Sequence, residues 1–172
     1  MLTPQSPSND DMALPYRTMA HNNAWANYRL LTACAQLAQD EFTARRTGFF
    51  PSLRATLNHV LIVDRFYVDA MEGGTLGPSA WSDPEPCATV ALLHEAQADV
   101  DRRLLAVVRN LDSAGLCRIV SVHRGQAHAM MSGTLVRPPQ LDEFFPVGEA
   151  DLRAHEFAAL GWTEDAIWAD KN

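Results

Sequence analysis

Three histidines in this sequence, His59, His123 and His128, are the side chains best suited to hold a metal ion. His59 lies in the segment TLNHVLIVD, where apolar neighbours predict burial, so its imidazole needs a partner. A metal ion is one such partner, with the second ring nitrogen held by another acceptor. The alternative, which the residues leave open, is a core histidine bonded to a carbonyl or to a carboxylate such as Asp64.

The spacing of His123 and His128 argues against a shared metal ion if the segment VSVHRGQAHAMM is helical. At about 100° per residue, five positions leave the two side chains roughly 140° apart around a helix. Two ligands on one helical face need a spacing of three or four residues. The residues four before and four after His123 are Ile119 and Ala127, and neither binds a metal.

The other histidines are expected to lie outside any metal site. His21 and His94 stand beside polar neighbours and fit solvated or capping positions, and His155 lies among charged residues near the C-terminus. Asp64 follows His59 by five residues and has the same angular problem. We expect Asp64 to hydrogen-bond, or to pair with Arg65 or another cation across the fold, because a buried carboxylate needs a partner.

Composition limits the classes of function. The 172 residues, 47% of them hydrophobic, fit one domain with a single core. A net charge of -7 opposes a broad surface for nucleic acid or anionic lipid, and the pairs Arg45-Arg46 and Arg102-Arg103 are too sparse for a phosphate-binding stripe. We therefore expect no nucleic-acid partner.

The cysteines and the hydrophobic segments indicate a cytoplasmic protein. Cys34, Cys87 and Cys117 are widely spaced and form no CxxC motif, which favours reduced, buried thiols. No stretch reaches the roughly 18 uninterrupted apolar residues of a membrane span. The first residues lack the basic and apolar regions of a signal peptide, so no membrane association is expected.

Apolar periodicity predicts three long helices within one domain. The first runs from Pro15 to about Ala38, the second from Pro51 to the Gly73-Gly74 pair, and the third from Thr89 to Leu111. Residues 1–13, rich in Ser, Pro, Asn and Asp, are predicted to form a flexible N-terminal tail, and residues 14–170 a single helical domain.

The chain after the third helix is harder to interpret. Residues 116–132 are ambiguous, because CRIVSV is β-branched and strand-like, whereas HRGQAHAMM suits a helix that we expect from about Val122. The segment RPPQLDEFF predicts an extended turn and a short helical piece. EADLRAHEFAALGW and TEDAIWAD predict short terminal helices, with Thr163 as an N-cap. These elements indicate an up-down bundle with its site between helices.

The sequence resembles the DinB family, the damage-inducible-type metal-binding four-helix bundles. The resemblance is carried by four stretches that extend from Tyr16 to Trp168: YRTMAHNNAWANYRLL, FFPSLRATLNHVLIVDRFY, HRGQAHAMMSGTLVRPPQLDEFF and EFAALGWTEDAIW. It implies an all-α fold, an up-down four-helix bundle with short C-terminal helices. The fourth helix would be truncated, because roughly 25 residues, about 37 Å of helix, are missing before HRGQ relative to the family pattern.

The resemblance also implies a divalent metal ion, zinc or nickel, held by three histidines. One belongs to the TLNH-like segment and two stand four residues apart in the helix that contains HRGQ. His59 and His123 match two of these positions, and Ile119 occupies the third. His128 is a weaker third candidate, and Cys117 and Asp64 are further donors within the sequence.

Two functional hypotheses follow. The first is a metal-assisted enzyme, a thiol-dependent transferase or a relative of one, acting with a small thiol or another small molecule on an unknown substrate. Asp64 or Gln126 would orient the ligands, and no nucleophile motif identifies catalytic residues. The alternative is a metal-free, non-catalytic dimeric bundle that has lost a ligand at Ile119. A homodimer is expected in both cases, because truncation would expose an apolar stripe.

Overall fold

The computed structural model describes residues 9–124, 127–132 and 150–163. Its elements, in chain order, are α1 (Asn9–Cys34), α2 (Gln39–Thr43), α3 (Leu53–Met71), α4 (Val90–Arg109), α5 (Ser113–Leu116), β1 (Ile119–Arg124), β2 (Ala127–Ser132) and α6 (Ala150–Ala159). A short 3-10 helix, Gly77–Trp81, lies between α3 and α4. The described chain is mostly helical, and the prediction of an all-α helical bundle is confirmed at this level.

The second and third predicted helices are confirmed as α3 and α4. Each begins after a hydroxyl side chain that caps the first turn: Ser52 accepts a hydrogen bond from the backbone N–H of Ala55, and Thr89 from that of Leu92. Such caps satisfy backbone donors that lack an intrahelical partner. The local sequence therefore determines where both helices start.

The main core lies where α4 packs against both α1 and α3. Leu31 of α1 and Phe42 of α2 join the apolar faces of α3 and α4 in one buried cluster. Its members on the two latter helices are Leu57, Leu61, Val68, Val90, Leu93 and Val100. Spacings of three, four or seven residues within each helix place these side chains on one face.

The first helix begins earlier than the sequence predicts. α1 starts at Asn9, so residues 9–13, which were assigned to the flexible tail, are helical, and Pro15 lies inside the helix. Burial explains the difference, because Ala13 is fully buried and the sulfur of Met12 accepts a hydrogen bond from Ser113 at 3.4 Å. These tertiary contacts favour helix even though Pro15 lacks a backbone donor.

The predicted truncated fourth helix, from about Val122, is wrong. Residues 119–124 and 127–132 instead form an antiparallel hairpin, with Ile119 opposite Ser132 at one end and Arg124 opposite Ala127 at the other. The alternating burial of β1 explains this result. Val122 is 1% exposed and packs with Phe66 of α3, whereas Ile119 is 56% exposed, which is the two-residue period of a strand.

The first C-terminal helix is confirmed as α6, which docks through Phe157 against Trp25 of α1. The turn predicted for RPPQLDEFF lies outside the described residues, as does the helix predicted for TEDAIWAD after its first residue, Thr163. Within the described ranges, no helix is both long enough and apolar enough to cross a membrane.

Candidate functional site

His59 lies in the first half of α3 and is half-buried. Its ring packs against that of Phe50, with 4.5 Å between the ring centroids and 36° between the planes. Asp64, the suggested carboxylate partner of His59, instead accepts a hydrogen bond from the side-chain amide of Gln97 at 2.8 Å. Among the described residues, the partner of Asp64 is therefore a neutral amide of α4, and not Arg65 or another cation.

His123 and His128 are direct partners in the hairpin register. On a helix, His123 and His128 would lie on different faces, which is why their spacing argues against a shared metal ion there. In the hairpin the two residues lie opposite each other, so that objection no longer applies. Ile119 lies on the same strand as His123, pairs with Ser132 and is largely exposed. Ile119 thus places an apolar side chain at the position where the sequence resemblance implies a third histidine.

The hairpin reaches the helix that carries His59. Val122, next to His123, packs with Phe66 and Ala70 of α3. Phe66 follows His59 by seven residues, which corresponds to nearly the same helix face about 10 Å further along the axis. Among the side chains that the structure describes, no three of His, Cys, Asp or Glu are close enough to form a metal-binding group.

The other histidines have structural surroundings. The sequence predicts a solvated or capping position for His21. In the structure it is half-buried, donates from Nδ1 to the carbonyl of Arg17 at 2.9 Å and contacts the ring of Trp162. Burial lowers the pKa of His21, and this outweighs the hydrogen bond to Arg17, which raises it. His94 packs edge-on against Tyr28, and His155 is exposed on α6.

A buried polar network centred on Asp101 joins α1 to α4, and sequence reasoning missed it. The amides of Asn23 and Asn27 donate to Oδ1 of Asp101 at 3.2 and 3.0 Å, and that of Gln97 does so at 3.4 Å. Because the amide of Gln97 also donates to Asp64, it bridges two carboxylates. The network flanks a cavity of about 290 Å³ that is also lined by His94 and Tyr28.

The electrostatics of this network favour a protonated carboxyl group. Burial raises the pKa of Asp101 to about 6, the amide donors of Asn27, Gln97 and Asn23 oppose the shift, and the negative charge of Asp64 adds to it. Burial also raises the pKa of Asp64. A buried carboxyl with a pKa near 6 can exchange a proton close to neutral pH, which is a property that acid–base chemistry requires.

One comparison with known proteins finds a family match, and it covers the part of the chain before the hairpin. The model of the DinB family matches residues 7–118. The match includes α1 to α5 and ends one residue before β1, so the hairpin that carries His123 and His128 lies beyond it. No curated protein matches the chain, and no solved structure matches it.

Proposed function

This chain belongs to the DinB family, and we propose that it binds a divalent metal ion, zinc or nickel, through His59 and His123, with His128 as the candidate third ligand. The observation that supports the proposal is the hairpin register in which His123 and His128 are partners. Directly opposed residues of antiparallel strands have Cβ atoms roughly 4.5–5.5 Å apart. Such a spacing suits two imidazoles that share one tetrahedral ion, with metal–nitrogen distances of about 2.0–2.1 Å.

The residues fit a metal ion only if the hairpin replaces the usual helix as the source of two ligands. Ile119 offers no donor atom, so the helical pair of the family pattern is incomplete. The register provides His128 as an alternative to it. Val122 packs on α3 and so brings β1 to the helix of His59, but the alternation of a strand assigns Val122 and His123 to opposite faces, so the hairpin pair His123 and His128 is the part of the site that this geometry supports.

The chemistry that we propose is that of a metal-assisted enzyme, a thiol-dependent transferase or a related activity. A bound ion with three nitrogen ligands keeps one open position, where it supplies Lewis acidity or activates a thiol. Asp64 is the residue that we propose to orient the site, since it lies on α3 and is itself held by Gln97. A small thiol or another small molecule would be the partner, in a cytoplasmic homodimer.

A second candidate function is a metal-free, non-catalytic dimeric module. It is favoured by Ile119, an apolar residue at the position where the family pattern has a ligand. The two candidates differ in metal content, and both include a dimer. Light scattering of the purified protein tests the dimer independently of the metal.

Metal analysis of protein purified without a histidine tag, after incubation with zinc or nickel and desalting, separates the candidates. We expect about one ion per chain in the wild type. His59→Ala, His123→Ala and His128→Ala should each lower that content, whereas His155→Ala, an exposed histidine of α6, should not. A wild-type protein that retains no ion would exclude the metal site and leave the second candidate.

A further inference from the structure

A second cavity, of about 420 Å³, lies between α1, α3, α4 and the chain from α5 into β1. Its described lining is mostly apolar and includes Met19, Ala20, Ala70, Leu104, Val107 and Val122. The volume falls within the range of roughly 300–1,000 Å³ that is typical of small-molecule sites. Neither His59 nor the Asp101 carboxyl belongs to this lining, and the cavity meets the polar network only through Asn23.

The described lining of this cavity contains one charged side chain, at the rim. Arg118 is the only charged residue among the described residues that line it, and it is exposed. Its Nη2 donates to the carbonyl of Met71 at 2.7 Å, and this bond fixes the guanidinium beside another residue of the lining. A guanidinium carries five N–H donors in a planar fork, a geometry that suits a carboxylate.

We propose that this cavity binds an amphipathic carboxylate of the medium-chain fatty-acid class. The hydrocarbon would occupy the apolar space between Val107 and Met19, and the carboxylate would pair with Arg118 at the rim. Charge complementarity favours this class over a cationic or neutral ligand, because the described lining offers one cation and no carboxylate. The proposal does not depend on a bound metal.

Titration calorimetry with decanoate tests the proposal, with decan-1-ol as the uncharged ligand of the same length and EDTA in every sample. We expect decanoate to bind the wild type more tightly than the alcohol. Arg118→Gln should weaken decanoate by about tenfold and leave the alcohol unchanged, because a charge-assisted hydrogen bond is lost. Equal binding of the two ligands, or no effect of Arg118→Gln, would overturn the assignment of the carboxylate.

Substitutions that fill the cavity with a larger side chain test whether the hydrocarbon of the ligand binds there. Val107→Trp and Met19→Trp enlarge two lining residues from different helices, and Met19 is partly exposed, so at least one variant should fold. Leu92→Trp, at an exposed position of α4 outside the lining, is the matched control. We expect both filled variants to lose both ligands and the control to retain them. If decanoate does not bind the wild type, the proposal is refuted. That result is expected if another part of the chain or a second copy of the protein fills the cavity.

Discussion

Asn58 and Cys87 form a reciprocal pair of hydrogen bonds that joins α3 to the chain leading into α4. The side-chain amide of Asn58 donates to the carbonyl of Cys87 at 2.9 Å, and the backbone N–H of Cys87 donates to Oδ1 of Asn58 at 2.8 Å. Asn58 is fully buried and also donates to the carbonyl of Arg54. Because it immediately precedes His59, this pair also positions the turn that carries the candidate ligand.

Replacement of Asn58 should destabilise the fold. We expect Asn58→Ala to lower the free energy of unfolding by about 2–4 kcal/mol, since it leaves the backbone groups of Cys87 buried without their partner. Urea unfolding followed by circular dichroism measures the effect. Asn110→Ala is the matched control, because Asn110 is exposed at the C-terminal end of α4 and its amide donates to the carbonyl of Ala106 in the last turn. A similar loss in both variants would contradict the role of the pair.

The raised pKa of Asp101 should make stability depend on pH. Its pKa of about 6 in the folded protein exceeds the ordinary value of 3.8, so the folded state binds the proton more tightly than the unfolded state. The resulting contribution to stability is present below about pH 4 and is lost as the pH rises to about 6. At pH 8 the ionised carboxylate costs on the order of 3 kcal/mol relative to a group whose pKa does not shift.

Asp101→Asn should therefore be more stable relative to the wild type at pH 8 than at pH 4.5. The amide keeps an oxygen for the donors of Asn23 and Asn27 and removes the buried charge. Urea unfolding at the two pH values gives the comparison. Asp99→Asn removes an exposed carboxylate that pairs with Arg102, and it should show no such difference. Parallel pH profiles for wild type and Asp101→Asn would refute the assignment.

The helices could be predicted because their signals are local. The hydroxyl caps at Ser52 and Thr89 and the apolar spacing that follows them suffice to locate α3 and α4. The start of α1 could not be predicted in this way. It depends on a contact between Met12 and Ser113, two residues that are remote in the sequence.

The hairpin and the polar network are determined by tertiary contacts. The β-branched residues of β1 favoured a strand, but the HRGQ resemblance favoured a helix, and the contact of Val122 with Phe66 is not visible in either pattern. Asp101 meets Asn27 only in the folded chain. One local signal for the polar network was present in the sequence. Gln97 and Asp101 are four residues apart, so both lie on the buried face of α4 and can contact each other.

Substitutions in β1 test the hairpin itself. Val122→Ala should lower the free energy of unfolding by about 1–3 kcal/mol, because it creates a void against Phe66. Ile119→Ala, on the exposed side of the same strand, should change it by less than about 0.5 kcal/mol. A helix would place these two positions, three residues apart, on one face. Equal effects of the two substitutions in urea unfolding would therefore count against the strand.

The docking of α6 on α1 gives a prediction for the C-terminal part of the chain. Phe157 is 1% exposed, its ring lies 5.8 Å from that of Trp25, and the indole N–H of Trp25 donates to Glu156 at 2.6 Å. Phe157→Ala should lower the free energy of unfolding by about 3–5 kcal/mol, because a buried aromatic side chain is removed. His155→Ala, an exposed neighbour, should be close to neutral. If urea unfolding finds the two variants equally stable, α6 does not contribute to the core in the way that this contact implies.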